Sequence, residues 1–347
     1  MTISQPRAQW PCSDRAMWDA LRKYAGPLDE PGGLAHLRQT TCDSLEARYV
    51  RWLKWIAIDD PAALSLQPSQ RATVPRLQAW LVALSHTRPM SRLMYVDGVL
   101  RILREAAPEQ DWSIQLRLLA HIKRTAGRGD PSRKNGRILS STVLLEAGLR
   151  LATVTADDAT TSLARMKHQR DGTMIALLAV MPMRRRSFCE LALDQSIHVN
   201  ATEIMISLSS NMTKTGVPWE AIVPQQVERV LRHYIDNVRP ALLARGGQRH
   251  DILWVGKKGE ILGMNYIGSL IGSLTLKLIG KRVPPHLFRD AAATTLARMS
   301  PENAQLIRPV LAHSGFRTAE RHYIHARTID AGRDYASLIK CLKGSRS

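Results

Sequence analysis

Leu311-Ala312-His313-Ser314-Gly315-Phe316-Arg317-Thr318-Ala319-Glu320-Arg321-His322-Tyr323 places one tyrosine ten residues after a histidine. Upstream stands His286-Leu287-Phe288-Arg289. A phenol, two imidazoles and a guanidinium supply much of what attack on a phosphodiester needs. That reaction takes a nucleophile, donors for the charge on the non-bridging oxygens, and an acid for the leaving alkoxide. Taken singly, each residue has an ordinary reading: His286 as a helix cap, Arg289 as surface charge, Tyr323 as a partly buried aromatic. The remainder of the chain decides between the two.

Working outward, His286 and Arg289 are three apart behind Pro284-Pro285, at the start of an expected helix, and share one face of it. Arg184, Arg185 and Arg186 follow Pro182-Met183 where a long helix should end. Three adjacent arginines repel one another unless water or an anion relieves them. Judged by its spacing from Phe188 and Leu191, Arg184 is the one placed to point inward. An arginine suits phosphate because its planar fork makes two parallel bonds and keeps its charge. Lys214 falls in a turn, Asn211 to Pro218, between two expected strands. There it is either an exposed turn lysine or an ammonium projected into a groove, able to protonate a leaving oxygen. His313 could donate to a phosphate oxygen.

Composition bounds the partners. The 347 residues carry 49 Lys plus Arg against 30 Asp plus Glu, a formal charge of +19. A charge of that size favours a polyanion, nucleic acid first, although a solvated basic surface would read the same way. No stretch approaches the 18 or so unbroken apolar residues of a membrane span. The first seven residues lack the apolar core of a secretory signal. Cys12, Cys42, Cys189 and Cys341 are too scattered for a disulfide framework or a zinc site, and a reducing cytoplasm is expected. His322 and His325 are three apart, but no Cys or carboxylate cluster completes a metal set.

The fold expected is mainly α with a small antiparallel β-sheet. Leu77, Leu81 and Leu84 share a helical face, as do Val96, Val99, Leu100 and Leu103; Trp112 opens a third stripe through Leu116, Leu119 and Ile122. Short connections between them predict a helical bundle over residues 14–126, with Arg92, Arg101, Arg104, Arg117 and Lys123 on its outer faces. Residues 127–137, Gly-Arg-Gly-Asp-Pro-Ser-Arg-Lys-Asn-Gly-Arg, read as a basic linker. A second, α+β domain over 138–347 opens with helices near 140–153 and 159–181. A strand follows, with Ile204, Ile206 and Leu208 alternating, then a turn, a return strand from Trp219 to Val223, and mostly helix to the end. Leu338, Ile339 and Leu342 give the tail an apolar stripe, fit to pack on its own domain or on a neighbouring subunit.

In order and spacing, Arg184, Lys214, His286, Arg289, His313 and Tyr323 together resemble the tyrosine recombinase (phage integrase) family. The resemblance covers about residues 140 to 330, and the helical first domain is similar to that family's core-binding domain. Two departures stand out. The family's first box commonly reads Gly-x-Arg with Glu three residues on, whereas this chain has Pro182-Met183-Arg184 and Ser187. Ala312 stands where the family's Leu-Gly-His has glycine.

The resemblance implies a clamp on double-stranded DNA and four protomers on two synapsed sites, and it allows a monomer for the free protein in solution. It implies that Tyr323 attacks the scissile phosphate to give a 3′-phosphotyrosyl link and a free 5′-hydroxyl. Arg184 and Arg289 would hold the phosphate, His286 and His313 would hydrogen-bond it, and Lys214 would protonate the 5′ oxygen. No metal, ATP or other cofactor would be needed. The setting implied is the nucleoid of a prokaryotic cytoplasm, and the role that of a mobile-element integrase. Two alternatives remain open: a DNA-binding protein of the same fold without chemistry, and a relaxing enzyme resembling type IB topoisomerases.

Overall fold

The apolar stripes of the first third become helices that bury those same residues. In the computed structural model, which describes residues 7–24, 26, 30–127, 136, 138–214 and 216–299, the chain divides into two compact units, Met1–Pro131 and Ser132–Ser347. Each has its own hydrophobic core. Among the described residues no helix is long and apolar enough to cross a membrane.

The first unit holds α1 (Cys12–Leu21), α2 (Gln39–Asp59), α3 (Val74–Ala83), α4 (Pro89–Ala106) and α5 (Ser113–Ala126). Leu77, Leu84, Val96, Val99, Leu100, Leu103, Trp112 and Ile122 are buried, with Leu81, Leu116 and Leu119 packed against them. Trp52 stacks on Trp55 and meets Trp80 edge-on, at 5.3 and 4.9 Å between ring centroids. Arg101, Arg104, Arg117 and Lys123 are exposed, as their positions opposite the apolar stripes require, and Arg92 is half-buried.

One ion pair lies inside this core. Arg71 donates to both Asp14 carboxylate oxygens at 2.8 Å and to the Leu64 and Leu66 carbonyls, while the Tyr49 hydroxyl donates to Asp14 at 2.7 Å. Burial of a charged pair is tolerable here because its lone pairs and protons find partners. Desolvation, and then the neighbouring Asp14 carboxylate, push the Tyr49 phenol well above its usual range.

The second unit starts with α6 (Ser141–Ala152), a single turn α7 (Val154–Asp157) and α8 (Ser162–Val180). Residues 170–179 of α8 are buried on every side, so it is the central helix of this unit. It crosses α6 at a pair of glycines. A Cβ on Gly148 would stand 2.5 Å from the Ala176 nitrogen, and one on Gly172 would collide with the Ala152 nitrogen. The two backbones therefore touch directly. The one-turn helix α9 (Arg185–Cys189) follows.

Next comes a three-stranded antiparallel sheet of β1 (Ile197–Val199), β2 (Ile204–Leu208) and β3 (Trp219–Ile222), in that order. Ile197 pairs with Ile206, and Leu208 with Trp219. β2 buries Ile204, Ile206 and Leu208 and half-exposes Met205 and Ser207, the alternation its sequence shows. The chain continues through α10 (Gln225–His233), a π-helical turn (Tyr234–Val238) and α11 (Arg239–Leu243) to α12 (Met264–Ile279) and α13 (Pro285–Met299).

One expectation needs correction. β1 is an additional strand; with three residues and one buried side chain it is too short to show alternation. The region after Pro224 is mostly helical among the described residues, as expected, with one interruption. Residues 250–262 form bridges, Ala192 to Ile252 and Val255 to Ile261, around the buried run Leu253-Trp254-Val255. A continuous apolar run of that length fits a buried strand as well as a helix. Of the expected linker 127–137, only Gly127 and Gly136 are among the described residues, and the tail stripe at Leu338, Ile339 and Leu342 lies outside them.

Candidate active site

Arg184 sits in extended conformation just before α9, and its carbonyl accepts the Phe188 amide at 2.9 Å. Phe188 is fully buried, packs on Trp254 at 4.9 Å, and accepts the Trp254 indole N–H at its carbonyl. A core aromatic thus anchors the turn that carries the arginine. Of the three arginines, Arg184 is half-buried while Arg185 and Arg186 are exposed. Arg186 pairs with Glu190 at 2.8 Å, and Arg185 lies against Gly268 of α12. Burial lowers the Arg184 guanidinium below its ordinary value.

α13 delivers the next pair. α12 ends at Gly280 in the left-handed conformation (φ 67°), which glycine adopts without steric cost. The returning chain is tied back to α12 by Thr275, whose hydroxyl accepts the Val283 amide at 2.9 Å and donates to Ile271. Pro285 then opens α13 at a position where a missing N–H costs nothing. Leu287, Phe288 and Ala291 of α13 enter the core, leaving His286 and Arg289 on the opposite face, His286 exposed and Arg289 half-buried.

The Arg289 guanidinium donates to the Pro182 carbonyl at 2.6 Å, so α13 is fastened to the loop that carries Arg184. Burial, and then the nearby Arg184 cation, push Arg289 down to about 10, partly offset by Asp290. It remains a cation at neutral pH. A half-buried guanidinium lowered by a second cation beside it is a place where an anion would be stabilised.

Lys214 is exposed in the connection between β2 and β3. That connection is held to the arginine segment by Ser187, whose hydroxyl donates to the Met212 carbonyl at 2.7 Å. The fold therefore brings Arg184 and Arg289 together, puts His286 on the Arg289 face, and links the Lys214 turn to α9. His313 and Tyr323 lie outside the described residues. Ser187 carries no signal of its own in the sequence, where it registers only as a serine in place of the glutamate common in the family.

A helical unit with a small three-stranded sheet thus presents paired arginines, one ahead of a one-turn helix and one at the head of α13, as a basic site able to hold an anion. Among solved structures, the chain is similar to the XerH site-specific recombinase bound to palindromic difH substrate in a post-cleavage complex. The TM-score is 0.60 at 16% identity over 86% of this chain and 80% of that one. It is also similar to a lambda integrase dimer bound to a core site (TM-score 0.52, 14% identity, 84% and 90% covered). A third is the Tn1549 transposon integrase in complex with circular intermediate DNA (TM-score 0.50, 14% identity, 89% and 94% covered). No curated protein matches the chain. The phage integrase family model matches residues 141–328, and the chain belongs to that family, the tyrosine recombinases, which cleave and rejoin DNA through a tyrosine nucleophile.

Proposed function

We propose that the protein is a site-specific recombinase of a mobile element, acting on double-stranded DNA with Tyr323 as nucleophile. The Tyr323 oxygen bonds to the scissile phosphorus, and the bond from phosphorus to the 5′ oxygen breaks. The tyrosine proton passes to a base, for which His286 is the candidate, and Lys214 gives a proton to the departing oxygen. The products are a 3′-phosphotyrosyl link and a 5′-hydroxyl, and rejoining is the same path reversed with a new hydroxyl. The phosphodiester energy is kept in the covalent link. Arg184 and Arg289 hold the non-bridging oxygens, and His313 adds a hydrogen bond. Four protomers on two sites would complete an exchange, at the nucleoid of a prokaryotic cytoplasm.

The observation that carries this reading is the coupling of Arg184 to Arg289, with Arg289 fastened to the Pro182 carbonyl. A phosphodiester seated between them would relieve their repulsion, and more so as charge builds on its oxygens in the transition state. The test is a covalent adduct. Duplexes are selected from a random pool for binding, then offered nicked so that the cleaved end diffuses away. The expected result is a denaturant-resistant protein–DNA adduct that Tyr323→Phe abolishes. No adduct would leave only a DNA-binding protein; an adduct without exchange products would make it a relaxing enzyme.

A further inference from the structure

We propose that Ser187 is a positioning residue that holds Lys214 over the leaving oxygen; this rests on the assignment of Lys214 as the general acid. Ser187 is buried, and its hydroxyl donates to the Met212 carbonyl at 2.7 Å, two residues before Lys214. It stands on α9, three residues after Arg184, and its neighbour Phe188 is locked into the core against Trp254. The turn itself is shaped from within, by Met212 N–H to the Ser209 carbonyl and Thr213 Oγ1 to the Ser210 carbonyl. The serine bond fastens that turn to the element on which the phosphate-binding arginine is built. Position along a turn is a loose coordinate; a buried bond to a rigid helix fixes it.

The residue type matters. Glutamate, which the family pattern commonly has at this place, is an acceptor only when ionised and could not bond to a carbonyl oxygen. A hydroxyl can. The serine is therefore a change of contact rather than a loss, and it pairs with a turn that presents a carbonyl inward.

A general acid is needed in proportion to the basicity of what leaves. An alkoxide needs a proton; a thiolate, from a thiol of pKa about 8.5, leaves without one. Single-turnover cleavage is therefore measured on the selected duplex with oxygen, and then sulfur, at the 5′-bridging position of the mapped scissile phosphate. With sulfur, the tyrosine oxygen–phosphorus bond forms, the phosphorus–sulfur bond breaks, and the electron pair stays on sulfur. Ser187→Ala should slow the oxygen substrate about tenfold, the worth of roughly 1.4 kcal/mol, and cleave the sulfur substrate within about twofold of the unmodified protein. Ser187→Cys keeps nearly the same volume with a weaker donor. It should shift in the same sense, and it serves if the alanine variant does not fold.

Equal slowing of both substrates would show a merely structural role and overturn the proposal, as would no slowing of the oxygen substrate. Lys214→Ala separates the two layers. If sulfur rescues it but not the Ser187 variants, the positioning role alone fails. If sulfur does not rescue Lys214→Ala, the general-acid assignment fails and the proposal falls with it.

Discussion

Arg289 is useful because of what it endures. It is half-buried, faces another cation, and keeps its charge only because a guanidinium starts from so high a pKa. A lysine there would start from about 10.4 and be driven down by the same burial and the same neighbour. Arg289→Lys should therefore fold, with DNA binding by gel shift changed little, yet cleave about 10²-fold more slowly because its single ammonium cannot make the two-pronged contact. The sign of the pH effect follows: a cation with a lowered pKa recovers charge as pH falls. The rate of Arg289→Lys relative to the unmodified protein should rise as the assay moves from about pH 9 to about pH 7. A constant ratio across that range would refute the electrostatic account.

At the scale of elements, the arginine turn is reached directly from α8, and α8 is set by its backbone contact with α6 at Gly148 and Gly172. The group that a Cβ on Gly172 would meet is main chain, so no rotamer change can make room. Gly172→Ala must separate the helices, at a cost of about 1–3 kcal/mol, which lowers the melting temperature by roughly 2–12 °C. Because Pro182 and Arg184 ride on the end of α8, the variant should also lose cleavage beyond what its stability explains. That is measured at a temperature where it is fully folded.

Which elements were legible follows from their length and burial. Helices α3 to α5 could be read because Leu77 and Leu81, then Val96, Val99 and Leu103, then Leu116, Leu119 and Ile122 recur at helical spacing, and β2 because Ile204, Ile206 and Leu208 alternate. β1 and the bridges around Trp254 could not, since three residues or an unbroken apolar run carry no period. The inward place of Arg184 could be anticipated from Phe188 and Leu191. The Ser187 bond could not, because its partner is a carbonyl, which every residue has.

At the scale of the molecule, a charge of +19 sets the terms of encounter with DNA. If the protein covers about 6–10 phosphates, its affinity for any duplex should fall about 10³–10⁵-fold between 50 and 200 mM salt, with the logarithmic plot near linear. A shallow dependence, measured by fluorescence anisotropy with the full chain, would mean that most of the excess charge lies away from the binding face. Sequence preference should survive in high salt better than total affinity does, since base contacts release few counterions.

Arg289 and Ser187 both end on main-chain oxygens, those of Pro182 and Met212. Such acceptors belong to the fold rather than to the residues that happen to occupy it. The identity of the side chain at positions 182 and 212 does not enter either bond directly. For these two bonds only the donor needs a particular side chain, so an inventory of recurring side chains in related sequences would register half of each contact.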